Sequence, residues 1–224
     1  MVRLLAITLF LLVAVGCKKT GDLNPEGQLY FPPTDSQEWE TVSPEELGWN
    51  ETMLSELKAF LSQNGTRAFI ILKDGRIAAE QYWGNNLLNN APFDVSTAWY
   101  WASAGKTITT FLTGIAQQEG LLSINDKSSE YLGAGWTNMA ADKETLITIR
   151  HQLTMTTGLD YNVPDLDCTE PQCLVYKADA GTQWYYHNAP YTLLEDVISA
   201  AAGTTYNNFT DSRLEAVTGM SGTW

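Results

Sequence analysis

An α/β fold of the α+β kind is what this sequence predicts: an antiparallel sheet packed against helices, with a helical subdomain. Three observations carry the prediction. Asp74-Gly75 lies between two short apolar runs, Ala68–Leu72 and Ile77–Trp83, which is a strong hairpin signal. Ile108, Phe111, Leu112 and Ile115 recur at helical spacing behind Lys106. From Asp126 to Gly203 further short helical patterns follow, a layer suited to lie beside a sheet.

At 224 residues the chain is long enough to bury a sizeable core. Its 13 basic and 26 acidic residues give a formal net charge of −13, so no basic stripe is available for phosphates and nucleic acid is excluded as a partner. Eight Trp, ten Tyr and seven Phe suit a folded, groove-bearing protein rather than a disordered chain.

Residues 1–17 read as a targeting segment. Arg3 supplies a positive start, and Leu4–Val15 is an uncharged, mostly apolar run. As a helix that run would span about 18 Å against a hydrocarbon core of about 30 Å, too short to cross. It ends in Ala14-Val15-Gly16-Cys17, where small residues before a single cysteine resemble the bacterial lipoprotein signal, with Cys17 lipidated. The alternative is an ordinary secretory signal with an incidental cysteine. The lipoprotein reading implies a cell-envelope protein, and Lys18 after the cysteine implies sorting to the outer membrane, facing the periplasm or the surface. Residues 18–40 show no apolar period and read as a flexible tether.

The folded part is expected from Thr41. Ser43-Pro44-Glu45-Glu46 has the pattern of a capped helix start that Gly48 ends. Asn50 is placed to cap a second helix carrying Met53, Leu54, Leu57, Phe60 and Leu61, closed by Asn64-Gly65. The hairpin follows, and residues 84–98 read as a loop. Between Asp94 and Glu119 the one charged residue is Lys106, so the next helix reads as covered on several sides. Beyond Gly120, Asp126 is placed to cap a short helix through Tyr131-Leu132. Ile147–Thr154 reads as another helix, capped by Thr148 and ended by Gly158. Cys168 and Cys173 flank a proline in an exported chain and suggest a local disulfide. Metal binding competes poorly, because only His151 and His187 could join them and no spacing fits zinc. Pro190 suits the first turn of a helix whose core face is Leu193, Leu194, Val197, Ile198 and Ala201, ended by Gly203.

Two stretches carry chemistry. In Ser103-Ala104-Gly105-Lys106, three residues separate a hydroxyl from an amine, which puts both on one helical face with Cβ atoms about 5–6 Å apart. Burying a lone ammonium is costly, and a desolvated lysine is one of the few side chains able to take a serine proton. The plain alternative is a capping serine and a solvated lysine. In Tyr186-His187-Asn188 a phenol and an amide precede the Pro190 helix. Here too the alternative is plain: Asn188 as a cap and Tyr186 as a packed aromatic.

Together the two stretches resemble the serine beta-lactamase and penicillin-binding-protein superfamily, nearest to the class C beta-lactamases and related D-alanyl-D-alanine carboxypeptidases and esterases. Supporting text matches in order: Ser43–Gly48, Gly120–Asp126 and Ile147–Leu159, the last with Met155 where many members have histidine. The resemblance covers residues 41–224. It implies a beta-lactamase/transpeptidase-like fold with the active site in a groove between sheet and helical subdomain. It implies acyl-enzyme formation on Ser103, with Lys106 and Tyr186 sharing proton transfer and either of them the base. Asn188 would hold the substrate amide or Lys106, and the Ser103 N–H would form half of an oxyanion hole. The implied substrate has a scissile amide or ester, as in a beta-lactam, a D-alanyl peptide or a short ester. No cofactor and no metal is implied. A third family motif, Lys-Thr-Gly or His-x-Gly on a later strand, has no match between Ala189 and Trp224; Val217–Trp224 resembles a marker from mid-domain. The expectation is therefore the N-terminal part of a longer hydrolase, or a non-catalytic member that binds peptidoglycan-like peptides or a partner.

Overall fold

The computed structural model describes residues 29–36 and 38–222. The expected signal segment, Cys17 and residues 18–28 of the expected tether lie outside the described residues. The order is α1 (Glu51–Gln63), β1 (Ala68–Lys73), β2 (Arg76–Tyr82), a 3₁₀ turn (Ala102–Gly105), α2 (Lys106–Gln118), α3 (Ser129–Leu132), α4 (Ala141–Glu144), α5 (Ile149–Leu153), α6 (Asn188–Thr192), α7 (Leu194–Ala202), α8 (Tyr206–Thr210), a π-helical turn (Asp211–Glu215) and α9 (Ala216–Thr218). The α/β character holds: helices together with an antiparallel two-stranded sheet. Two compact units divide the chain, one ending at Tyr82 and one running from Trp83, with residues 33–36 in the second.

In the first unit the Asp74-Gly75 turn takes left-handed angles at both residues, φ 50° and 85°, as a two-residue hairpin with the native twist demands. Glycine is required there for a second reason: a Cβ on Gly75 would fall 1.9 Å from the Tyr30 carbonyl oxygen. The pairing runs from Ala68 opposite Tyr82 to Lys73 opposite Arg76, with a bulge between Ile71 and Leu72. Residues before the hairpin lean on it. Tyr30 N–H donates to Asp74 O, Trp39 Nε1 donates to Gly75 O, and Glu40 and Val42 bond Ile77 from the far side of β2. This corrects the tether reading for residues 29–32 and 38–40. Their backbone and indole donors have partners on the hairpin turn and β2, which the missing apolar period gave no hint of. Ser43 and Glu46 exchange the expected reciprocal bonds, at 2.8 and 3.1 Å, but Gly48 ends the segment after one turn and no helix forms. Asn50 caps α1 through Met53 N–H at 3.0 Å.

The second unit is built on two clusters. One joins Leu112 and Ala116 of α2, Ile149 of α5, Tyr191 of α6, Leu194, Val197 and Ile198 of α7, and Phe209 of α8. The other joins Trp136, Ile147, Leu159, Leu174 and Ala189. Each fully buried Leu or Ile contributes about 1.5–3 kcal/mol. The buried face of α2 is Thr109, Leu112, Thr113 and Ala116, rotated from the expected stripe, and Phe111 is left half-exposed. With Lys106 as its one charge, α2 is thus covered on one side rather than several. Ser128, not Asp126, precedes α3; the Asp126 carboxylate instead accepts from Ser123 N–H and the Tyr131 hydroxyl. Burial, reinforced by that carboxylate, pushes the Tyr131 phenol up to about 12. Thr148 caps α5 as read, with the His151 ring closing the capping box, but α5 stops at Thr154. Gly158 serves a different end: its Cβ would sit 2.1 Å from Ala178 O, where two loops pair. Helices α4, α8 and α9 went unread in the sequence. Each is five residues or fewer, too short for a period to show.

Candidate active site

All four residues singled out as catalytic or substrate-binding belong to the second unit. Ser103 lies in the 3₁₀ turn that leads into α2, and Lys106 is the first residue of α2. The turn is entered through Ala102 with φ 46°, a left-handed angle that a non-glycine residue adopts at a cost of about 1–3 kcal/mol. Leu112 and Ala116 anchor α2 in the first cluster, which fixes the direction of its first turn.

The other half of the site hangs on α6. This five-residue helix is held at both ends: Ala189 packs in one cluster and Tyr191 in the other. Between them the Pro190 carbonyl accepts from the buried Gln152 Nε2 at 2.7 Å, while Gln152 Oε1 accepts from Ser128. The Tyr191 hydroxyl then donates to the Lys106 carbonyl at 2.9 Å, tying α6 to the first turn of α2.

So held, Asn188 meets Lys106 across 82 residues of sequence. Lys106 Nζ donates to Asn188 Oδ1 at 2.9 Å and to Ser103 Oγ at 3.3 Å. The ammonium lies 5.2 Å from the Tyr186 ring centre and 5.5 Å from that of Tyr191. The Ser103 hydroxyl, then the nearby Lys106 ammonium, hold the Tyr186 phenol below the ordinary tyrosine range. Asn188 is the first residue of α6 rather than its cap; His187 takes the cap position. The four groups are therefore together, but Ser103 is exposed and Lys106 half-buried. The desolvated hollow expected around Lys106 is not what surrounds it. The charge is balanced by an amide oxygen, a hydroxyl and two ring faces instead of being buried. Chemically, an amine and a phenol flank one hydroxyl, and either can relieve it of a proton.

Cys168 and Cys173 are joined in a disulfide with Cα atoms 6.0 Å apart, around a 3₁₀ turn at Pro171–Cys173. Two buried polar residues of the second unit had no catalytic role in the sequence reading. His187 is 3% exposed, and neither ring nitrogen has a hydrogen-bond partner among the described residues. Burial lowers its basicity, against the pull of Asp167 and Asp160. Glu144 is 2% exposed, and its carboxylate accepts from Gly135 N–H, Thr137 N–H and the Thr137 hydroxyl at 2.7–2.9 Å. No sequence signal distinguishes Glu144 from the chain's other acids. Gln152 had one: it stands three places after Ile149, on the buried face of α5.

A family model described as beta-lactamase matches residues 60–224. The chain belongs to the beta-lactamase family. The resemblance read from the two motifs thus stands. Among curated proteins, an uncharacterised protein of Alkalihalophilus pseudofirmus is 29% identical over 150 residues, 66% of this chain and 40% of that protein. Among solved structures, a Bacteroides dorei protein provisionally described as a beta-lactamase is similar with a TM-score of 0.61 and 22% identity, over 77% of this chain and 52% of that one. A penicillin-binding protein homologue of Pyrococcus abyssi is similar with a TM-score of 0.59 and 18% identity, over 74% of this chain and 42% of that one. At these identities the solved structures speak to the fold alone. The chain spans about half the length of these relatives, or less.

Proposed function

We propose that this chain carries the acylating machinery of a serine hydrolase of the beta-lactamase family, acting on an amide or ester carbonyl. The observation that carries the reading is the single cluster of Ser103 Oγ, Lys106 Nζ, Asn188 Oδ1 and the Tyr186 phenol. Ser103 attacks the carbonyl while its proton passes to Lys106 or Tyr186. The Ser103 hydroxyl and the Lys106 charge both favour a phenolate on Tyr186. Asn188 orients Lys106 and can turn its amide to the substrate. The Ser103 N–H stabilises the oxyanion, and water then releases the acyl group. Beta-lactams, D-alanyl peptides and short esters all present a suitable carbonyl. The test is covalent labelling. A fluorescent penicillin or a fluorophosphonate is expected to mark Ser103, with the label lost in Ser103→Ala and slowed at least about 100-fold in Lys106→Met. Absence of label with both probes on folded chain would sink the reading.

A second reading, binding without turnover, is favoured by the exposure of Ser103 and by a Lys106 that is not desolvated. It predicts that D-alanyl peptides bind while neither probe labels. Ala14-Val15-Gly16-Cys17 supports a lipid anchor on Cys17 and a place in the cell envelope. Incorporation of labelled palmitate, lost in Cys17→Ala, is the expected result; no incorporation in the wild type would remove the anchor.

A further inference from the structure

Tyr186 comes to Ser103 from a segment with no ladder of its own. Residues 183–187 belong to no helix or strand, although His187 has extended angles, φ −123° and ψ 114°. In an extended chain alternate side chains face opposite ways. The exposures follow that rule: Trp184 and Tyr186 stand exposed, Tyr185 is half-buried and His187 is buried. The aim of the Tyr186 phenol is therefore set by what holds the opposite face, that of Tyr185 and His187. The backbone gives one tie there, from Tyr185 N–H to the Met155 carbonyl at 3.1 Å. The His187 ring gives none, having no hydrogen-bond partner among the described residues. The remaining hold is aromatic: the Tyr185 ring lies stacked on Tyr161, with centroids 3.8 Å apart and planes 13° apart. Tyr161 is itself anchored by two paired loops. Asp160 N–H donates to the Val175 carbonyl at 2.8 Å, and Lys177 N–H to the Gly158 carbonyl at 3.0 Å. Lys177 Nζ donates to Asp160 Oδ1 at 2.9 Å and stands 4.0 Å from the Tyr161 ring centre. Their bond lowers the Asp160 carboxyl and raises the Lys177 amine, so the cation over the ring persists at neutral pH.

We propose that Tyr161 and Tyr185 are positioning residues for Tyr186: their stack, clamped by Lys177 and Asp160, fixes the rotation of residues 183–187 and so keeps the Tyr186 phenol beside Ser103. The phenol's part in acylation rests on the hydrolase reading; its placement by the stack does not. A stack needs a flat ring opposite, not a hydroxyl, so phenylalanine serves at position 161 and leucine does not.

The test has two arms on the purified chain. In the first, NMR of carbon-13 tyrosine follows the Tyr186 phenol through a pH titration, its signal assigned by its loss in Tyr186→Phe. Ser103 and Lys106 hold that phenol low, so a phenol moved away from them titrates higher. The midpoint is expected to rise by about half a unit to one unit in Tyr161→Leu and to stay at the wild-type value in Tyr161→Phe. An unmoved midpoint in Tyr161→Leu, or an equal rise in Tyr161→Phe, overturns the proposal, and this arm needs no turnover. If circular dichroism shows Tyr161→Leu unfolded, Tyr185→Leu takes its place with the same expectation. In the second arm, the rate of Ser103 labelling by a fluorophosphonate is followed against pH. Tyr161→Leu is expected to label about tenfold more slowly, with its profile moved to higher pH, and Tyr161→Phe to restore both. A Tyr161→Leu profile that overlays the wild type overturns the proposal. If the wild type takes no label at any pH, the hydrolase reading falls and the NMR arm alone decides the role of the stack.

Discussion

Helices α1 and α7 are both amphipathic, yet they use their apolar faces differently. Leu194, Val197 and Ile198 of α7 are fully buried against α2, α3 and α8. In α1 no residue is buried, and Met53, Leu57 and Phe60 stand largely exposed. A helix of α1's length is marginal by itself, so its own cap matters more to it than a cap does to a packed helix. Periodicity defines a face; burial needs something opposite.

Core truncation should break this comparison most visibly. Leu194→Ala is expected to cost about 2–5 kcal/mol, and Phe60→Ala, 60% exposed, less than about 1 kcal/mol. Urea unfolding followed by tryptophan fluorescence measures both, and equal losses would refute the contrast. The next largest effect concerns charge. Glu144→Ala leaves two backbone N–H groups and a hydroxyl without their buried acceptor, a loss on the order of 3 kcal/mol. Glu119→Ala, which removes an exposed pair with Arg213, is expected to change the same unfolding curve little.

His187 sharpens the comparison through pH. Burial keeps its imidazole neutral, so the unfolded chain, at the ordinary histidine value of 6.5, takes up the proton first. Stability present above that value is therefore lost as pH falls through it, and His151, lowered by burial too, acts in the same sense. Wild-type Tm is expected to drop between pH 7 and pH 5. In His187→Phe, which keeps the shape and removes two unpartnered nitrogens, the drop should be smaller and the Tm at pH 7 equal or higher. A steeper drop in the variant would contradict this. The last effect belongs to the cap. Asn50→Ala is expected to cost about 1 kcal/mol, seen as lost helicity by circular dichroism without loss of the second unit's core.

Local chemistry was legible wherever a few neighbouring residues sufficed. The Asp74-Gly75 turn, the Asn50 and Thr148 caps and the Gly203 stop follow from backbone angles and short-range donors. Where the reading failed, a distant partner was responsible. Tyr30 and Trp39 bond the hairpin turn, so the supposed tether is partly held. The π turn and helices α4, α8 and α9 left no period to detect.

By itself the sequence placed a hydroxyl and an amine within reach of each other, because three residues along a helical path allow no other arrangement. It also showed that a phenol and an amide lie together further on. Only the tertiary structure decided that these pairs meet, since that depends on α6 being pinned between two clusters by Ala189, Tyr191 and Gln152. Only it decided that Lys106 is balanced by contacts rather than buried, and that the buried His187 ring has no hydrogen-bond partner among the described residues. Burial and pairing are properties of what lies opposite a residue, and sequence spacing does not reach that far.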